Sequence, residues 1–288
     1  MADPSLSPHT PERRAKPRAP FRQRRRAHER VSILGQPVDL VKPEEVLHHV
    51  QQAVLQGAKS LIANHNLHSL YLIQKRPELA GFYDRADLIE VDSTPLLWFS
   101  RALGLHSRGF HRCTYLDWRD HFWSVANREG WRVMSIGGAP GVGDEAARRL
   151  TARYPGANIA IHHGFFDAHR DGPENAAVLA QIKAFQPHIL FVGMGMPRQE
   201  LWIDDNFERL PDCVILSVGA AFDYEAGVQS AAPRWMGRAG IEWAYRLFHD
   251  PKRLFVRYCV EPWTLLPLAL RDIRDARRRR AEDLPAKS

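Results

Sequence analysis

Cysteine is scarce and scattered: Cys113, Cys213 and Cys259 are the only three, and no two stand close together. That spacing offers neither a disulfide framework nor a thiolate metal site, so a reducing compartment is expected. Long apolar runs are lacking as well. The longest, Cys213 to Phe222, falls far short of the roughly 20 residues of a spanning helix. The basic N-terminus is followed by no apolar stretch, so it is not a secretory signal, and any membrane contact is expected to be peripheral. No Asp-x-Asp pair is present to hold a divalent ion on a diphosphate. The histidines His65 and His68, His48 and His49, and His162 and His163 have no second ligand group at zinc-like spacing. A bound metal is therefore not indicated, and no cofactor is assigned.

What charge there is lies mostly at the ends. Residues 1–30 carry nine Lys and Arg against three acids, and residues 271–288 carry seven against four. The 240 residues between them hold 24 basic and 26 acidic side chains. A nucleic-acid-binding fold would place its basic stripe on structured elements, so nucleic acid is not an expected partner. Basic ends suit either anionic lipid headgroups or simple solvation.

Short Val, Ile and Leu runs at 60–64, 87–91, 131–137, 158–162, 189–193 and 213–219 alternate with amphipathic stretches of helical period. The alternation predicts an α/β fold, Rossmann-like, with a mainly parallel sheet flanked by helices and a site at the C-terminal strand ends. After Gly227 the pattern changes to an aromatic, basic and continuously helical segment, Pro233 to Trp263. The expected organisation is a disordered basic tail at 1–30, a core at 31–230, a helical appendage at 231–270 and a second basic tail at 271–288.

Several strand ends carry polar side chains. Asn64 and Asn66 follow the first run, and Asp92 follows the second. Asp92 is placed to act as a base; equally, it could merely cap the helix that begins near Ser93-Thr94-Pro95. The segment Gly193-Met194-Gly195-Met196-Pro197-Arg198-Gln199-Glu200 lets backbone amides approach a ligand, with Gln199 and Glu200 expected to point into the site. A tight turn is its simpler reading. Gly137-Gly138-Ala139-Pro140-Gly141, between a strand and a helix, suits a pyrophosphate. Gly141-x-Gly143-x-x-Ala146 imitates a dinucleotide fingerprint, but the next strand ends in His162-His163 rather than an acid, which argues against an NAD(P)-dependent oxidoreductase. Without a metal, arginines must neutralise any phosphate. Arg246, Arg253 and Arg257 share one helical face if the helix survives Pro251; otherwise they face lipid or solvent beside Trp243, Phe248 and Trp263.

Taken together, Gly193 to Glu200, Val218-Gly219-Ala220-Ala221-Phe222-Asp223, Ala226-Gly227, Ile241 to Leu247, His249 to Arg253 and Arg257-Tyr258 resemble the WecG/TagA/CpsF family in order and spacing. The resemblance covers roughly residues 31–263. It implies an inverting glycosyltransferase with a Rossmann-like core and a C-terminal, membrane-docking appendage that helps complete the site. Donors would be UDP-linked N-acetylmannosamine, its uronic acid or glucuronic acid. The acceptor would be a polyprenyl-diphosphate saccharide at the cytoplasmic face of the membrane, in surface polysaccharide synthesis.

Carried over residue by residue, the resemblance makes Asp92 the catalytic aspartate. It makes Asn64, Asn66, Arg112 and Gln199 donor-site positions, and Arg246, Arg253 and Arg257 the diphosphate arginines. Gly137, Gly138, Gly195 and Glu200 complete the expected donor site. Two departures stand out: Ser93 replaces a glycine after the aspartate, and Ala231 replaces an arginine. A non-catalytic, membrane-associated nucleotide-binding protein is the alternative from another class. Oligomeric state is left open, a homo-oligomer included.

Overall fold

A computed structural model describes residues 29–230 and 232–282, except for the side chains of Arg234, Arg238 and Arg253. Almost all of the expected N-terminal tail, the departure at Ala231 and residues 283–288 lie outside the described residues.

Strands β1 (Arg30–Ile33) and β2 (Gln36–Asp39) form an antiparallel hairpin. Its two turn residues, Leu34 and Gly35, both have positive φ, 53° and 79°, as a turn matching strand twist requires. Six further strands follow: β3 (Ser60–His65), β4 (Leu88–Val91), β5 (Arg132–Gly137), β6 (Asn158–His162), β7 (Ile189–Gly193) and β8 (Val214–Ser217). They form one parallel sheet in the order β4-β3-β8-β7-β5-β6. All six stand at the runs predicted from sequence.

Helices cover both faces, so the central strands are apolar on both sides. Along β7, Ile189 and Phe191 face Trp118, Phe122 and Trp123, while Leu190 and Val192 face Leu179, Trp202 and Ile203. The hairpin closes the β4 edge. Asp39, fully buried, accepts two bonds from Arg30 at 2.9 and 2.8 Å and a third from the Ile89 amide at 2.7 Å.

The C-terminal segment departs from expectation twice. The helical segment expected from Pro233 to Trp263, with a break or bend at Pro251, is divided further, into helices Arg234–Arg238, Glu242–His249 and Pro251–Phe255, then a π turn at Val256–Val260 and a 3-10 segment at Glu261–Leu265. Gly240, at φ +70°, makes the first break, and Asp250-Pro251 makes the second, since proline has no amide to continue the ladder. Residues 271–282, expected as tail, instead extend a helix, Leu266–Glu282. That helix packs Leu268 and Ala269 on the hairpin cluster, and Asp272 Oδ2 accepts the Leu34 amide at 2.6 Å. Elsewhere the appendage meets the core through Thr94 Oγ1, which donates to the Gly237 carbonyl at 2.9 Å, and through a 2.5 Å contact between His68 and Glu261.

Candidate active site

The chain leaves β5 toward β6 but leaves β7 toward β8, so the connections diverge between the C-terminal ends of these adjacent strands. Such a divergence opens a crevice for ligands in a parallel sheet. A cleft of about 990 Å³ lies along this edge, walled by the ends of β3, β4, β5, β7 and β8 on one side and by the appendage on the other. Glycine makes the edge possible: a Cβ on Gly137 would run into the Gly193 carbonyl, and one on Gly193 would run into that of Gly219.

Of the residues picked out in sequence, Asn64, Asn66, Asp92, Arg112, Gly138, Gly195, Gln199, Arg246 and Arg257 line this cleft. Gly137 and Glu200 do not. Gly137 sits one residue beneath, packed on Gly193. Glu200 is 1% exposed and turned into the protein. Successive helical side chains diverge by about 100°, so Gln199 facing the cleft sends Glu200 inward. The expectation that both point into the site is corrected on that ground. The Arg253 side chain lies outside the described residues.

Ser93, the departure from the family pattern, is the N-cap of helix Thr94–Ala102, with its hydroxyl toward the Leu96 amide at 3.5 Å. Asp92 is thus relieved of capping and turns to the cleft. Its side chain is 35% exposed, and Arg112 Nη2 stands 3.9 Å from Oδ1. Desolvation pushes the Asp92 carboxyl up to about 6; Arg112 and Arg246 oppose the shift, while Glu242 and Asp117 add to it. A carboxylate so tuned is ionised at neutral pH yet basic enough to draw a proton.

Asn66 caps helix Leu67–Lys75 by accepting the Ser69 amide at 3.0 Å, and Asn64 donates to the Ser217 carbonyl at 2.8 Å. Both amides are thus fixed at the cleft floor. Gln199 Oε1 accepts the Gly195 amide at 3.1 Å, and its Nε2 donates to Glu200 at 2.7 Å. The Gly195 amide, expected to meet the ligand, is therefore occupied by Gln199.

Glu242 is the residue that sequence reasoning missed. It bridges the Arg112 guanidinium at 2.6 Å and that of Arg246 at 2.5 Å, so one appendage carboxylate orders two cleft arginines. The four-residue spacing of Glu242 and Arg246 was the available signal. Burial works against the charge on Arg246, but Tyr224, Glu242 and Asp92 hold it above the usual arginine range. Arg257 is pulled down, chiefly by burial, and its Nε is buried without a hydrogen-bond partner. Two guanidiniums facing an open cleft supply a place for phosphate oxygens. Among the described residues, no group of three or more His, Cys, Asp or Glu stands together to hold a metal.

A second cavity of about 270 Å³ adjoins the first. The two share Asn66, Asp92, Arg112, Glu242, Arg246, Arg257 and Tyr258. The smaller adds His68, Thr94, Trp243 and Pro262, so Asp92 and the arginines stand on a partition between two chambers.

The model of the glycosyl transferase WecG/TagA/CpsF family matches residues 31–279. Curated relatives from Staphylococcus aureus strains MRSA252, MW2 and NCTC 8325 are 28% identical over 211 residues, covering 70% of this chain and 80% of theirs. Each is named an N-acetylglucosaminyldiphosphoundecaprenol N-acetyl-beta-D-mannosaminyltransferase.

Proposed function

From the premise that the chain belongs to the WecG/TagA/CpsF family of glycosyltransferases, we propose that it moves a hexosyl group, with inversion, from a UDP-sugar to a polyprenyl-diphosphate saccharide in surface polysaccharide synthesis. As a transferase it is an enzyme, which sets aside the non-catalytic and dehydrogenase alternatives. The observation that carries the reading is the partition: Asp92 stands between two cavities, beside arginines that face both.

The larger chamber takes the UDP-sugar along the glycine-lined sheet edge, with Asn64, Asn66 and Gln199 toward the sugar. The smaller takes the acceptor saccharide against Trp243. The relatives are named for N-acetylmannosaminyl transfer, and the family resemblance adds its uronic acid and glucuronic acid as donor candidates. Asp92 accepts the proton of the acceptor hydroxyl as that oxygen bonds to the anomeric carbon. The bond from that carbon to the UDP oxygen breaks on the opposite face, and UDP leaves with the electron pair. Arg246 and Arg257 neutralise the charge that develops on the departing diphosphate.

We also propose that the appendage lies on the membrane surface at its cytoplasmic face. Among the described residues, ten of the fifteen exposed large hydrophobics fall between Trp235 and Leu270, including Trp263 at 73% and Phe248 at 86% exposure. Aromatic rings of this kind favour the headgroup boundary. No described helix is long and apolar enough to cross a bilayer.

The test is transfer from a panel of UDP-sugars to a polyprenyl-diphosphate N-acetylglucosamine in detergent, with product anomericity read by NMR. A β-linked product from one α-configured donor supports the reading; an α-linked product excludes single displacement at Asp92, and no transfer from any donor refutes the proposed substrates.

A further inference from the structure

One buried acid has no part in the chemistry above. Glu90 stands on β4 two residues before Asp92 and is 5% exposed. Two residues along a strand return to the same face, so the two carboxyls share one side of β4, Glu90 one pleat deeper. Burial of a carboxyl here is costly unless it is partnered, because Trp118 of the aromatic core lies beside it.

The acid is held there by a dedicated contact. Cys113 Sγ donates to Glu90 Oε1 at 3.0 Å. The Cys113 amide in turn donates to the Val91 carbonyl at 3.0 Å, and Arg112 pairs with Val91 in a parallel bridge. Arg112 and Cys113 therefore run beside the end of β4 with alternating side chains, the first to Asp92 and Glu242, the second to Glu90. The Trp118 indole N–H also faces Glu90, short of full hydrogen-bond geometry, and like Cys113 it favours the ionised carboxylate. Asp92 and Asp117 are the other ionisable groups facing it, both acidic, and no cation is among them.

We propose that Glu90 is a positioning residue for the transfer reaction, a buried second carboxyl whose charge state sets how strongly Asp92 draws the acceptor's proton. The inference rests on the reading of Asp92 as the base. Its physical ground is proximity in a water-poor site, where a like charge favours protonation of its neighbour. Desolvation raises Glu90 to about 7, and Asp92 and Asp117 raise it further while Cys113 lowers it. The two carboxyls give up their protons in two steps, and only after the second are both charged. Once Glu90 is ionised, its negative charge makes Asp92 the stronger base, and the two titrate as a pair.

The experiment is kcat against pH for the full chain, with Glu90→Gln and Cys113→Ala beside it. Wild type is expected to gain rate in two steps, the second near the Glu90 ionisation. Glu90→Gln keeps the shape of a neutral acid. It should match wild type on the acid side, lose the second step and run about three- to tenfold slower at about pH 8, with KM for the UDP-sugar unchanged. Cys113→Ala removes the thiol donor and should move the second step to higher pH. A Glu90→Gln profile that keeps both steps overturns the inference. If Glu90→Gln does not fold, Cys113→Ala decides, and an unmoved second step counts against Glu90. Full turnover by Asp92→Asn would instead sink the underlying reading, so the two failures are distinguishable.

Discussion

Arg112 Nη2 lies 2.6 Å from Glu242 Oε2, a contact that joins the sheet edge to the appendage across 130 positions of sequence. Because Glu242 also holds Arg246 at 2.5 Å and Arg112 faces Asp92, the appendage supplies side chains to the cleft as well as covering it. Glu242→Gln should leave UDP affinity in place but cut kcat by about tenfold to a hundredfold, since two guanidiniums lose their shared carboxylate. Calorimetric UDP binding beside steady-state kinetics checks this; a parallel loss of UDP affinity would place Glu242 in the nucleotide site instead.

Asp92→Asn should lower kcat by about 10²- to 10⁴-fold with the fold intact. Wild-type kcat should fall as pH drops through about 6, because the protonated acid cannot accept a proton. The stability effect has the opposite sense. The folded carboxyl titrates above its unfolded value, so its contribution is full below about pH 4 and is lost as pH rises through 6. At 35% exposure the effect is discounted to about 1 kcal/mol, and Asp92→Asn should melt about 2–4 °C higher than wild type at pH 8. Equal melting temperatures at pH 8 would mean the site is more hydrated than its geometry indicates.

The fold was legible where burial is two-sided. A parallel strand covered on both faces must be apolar throughout, so β3, β4, β5, β7 and β8 stand out as runs, whereas the hairpin does not: Gln36, Pro37 and Asp39 break its pattern, and its order comes from Arg30 and Asp39. The helix at 266–282 was hidden by its arginines, since its apolar anchors, among them Leu268, Ala269 and Ala276, are few. Asp92 was ambiguous because a cap and a base look alike locally; Ser93 taking the cap resolves its orientation. Glu242 was missed because its partner at Arg112 is far away in sequence.

Asp39→Ala should destabilise the protein by about 3–5 kcal/mol, since it strands the Ile89 amide and a half-covered Arg30 guanidinium at the sheet edge. Thermal or urea unfolding measures it. A cost under about 1 kcal/mol would show that the hairpin contributes little to the edge.

Replacing Phe248, Phe255 and Trp263 together by alanine should weaken binding to anionic liposomes by at least about tenfold, given roughly 1.5–3 kcal/mol for each large apolar side chain fully transferred. Flotation with vesicles reads the loss, and UDP binding should not change. Retained flotation would assign membrane contact to another surface.

The bond between the Leu34 amide and Asp272 spans 238 positions of sequence. Synthesis runs from the N-terminus, so the hairpin emerges before the six-stranded sheet yet waits for the helix at 266–282 before its cover arrives. Contacts of such separation form late, after the loop they close has been ordered. The sheet can therefore assemble on the ribosome while the aromatic appendage is still unanchored, and its adhesive face is fixed in place only after the core exists. An order of assembly that puts this segment last lets its exposed aromatic residues settle on a core that already exists.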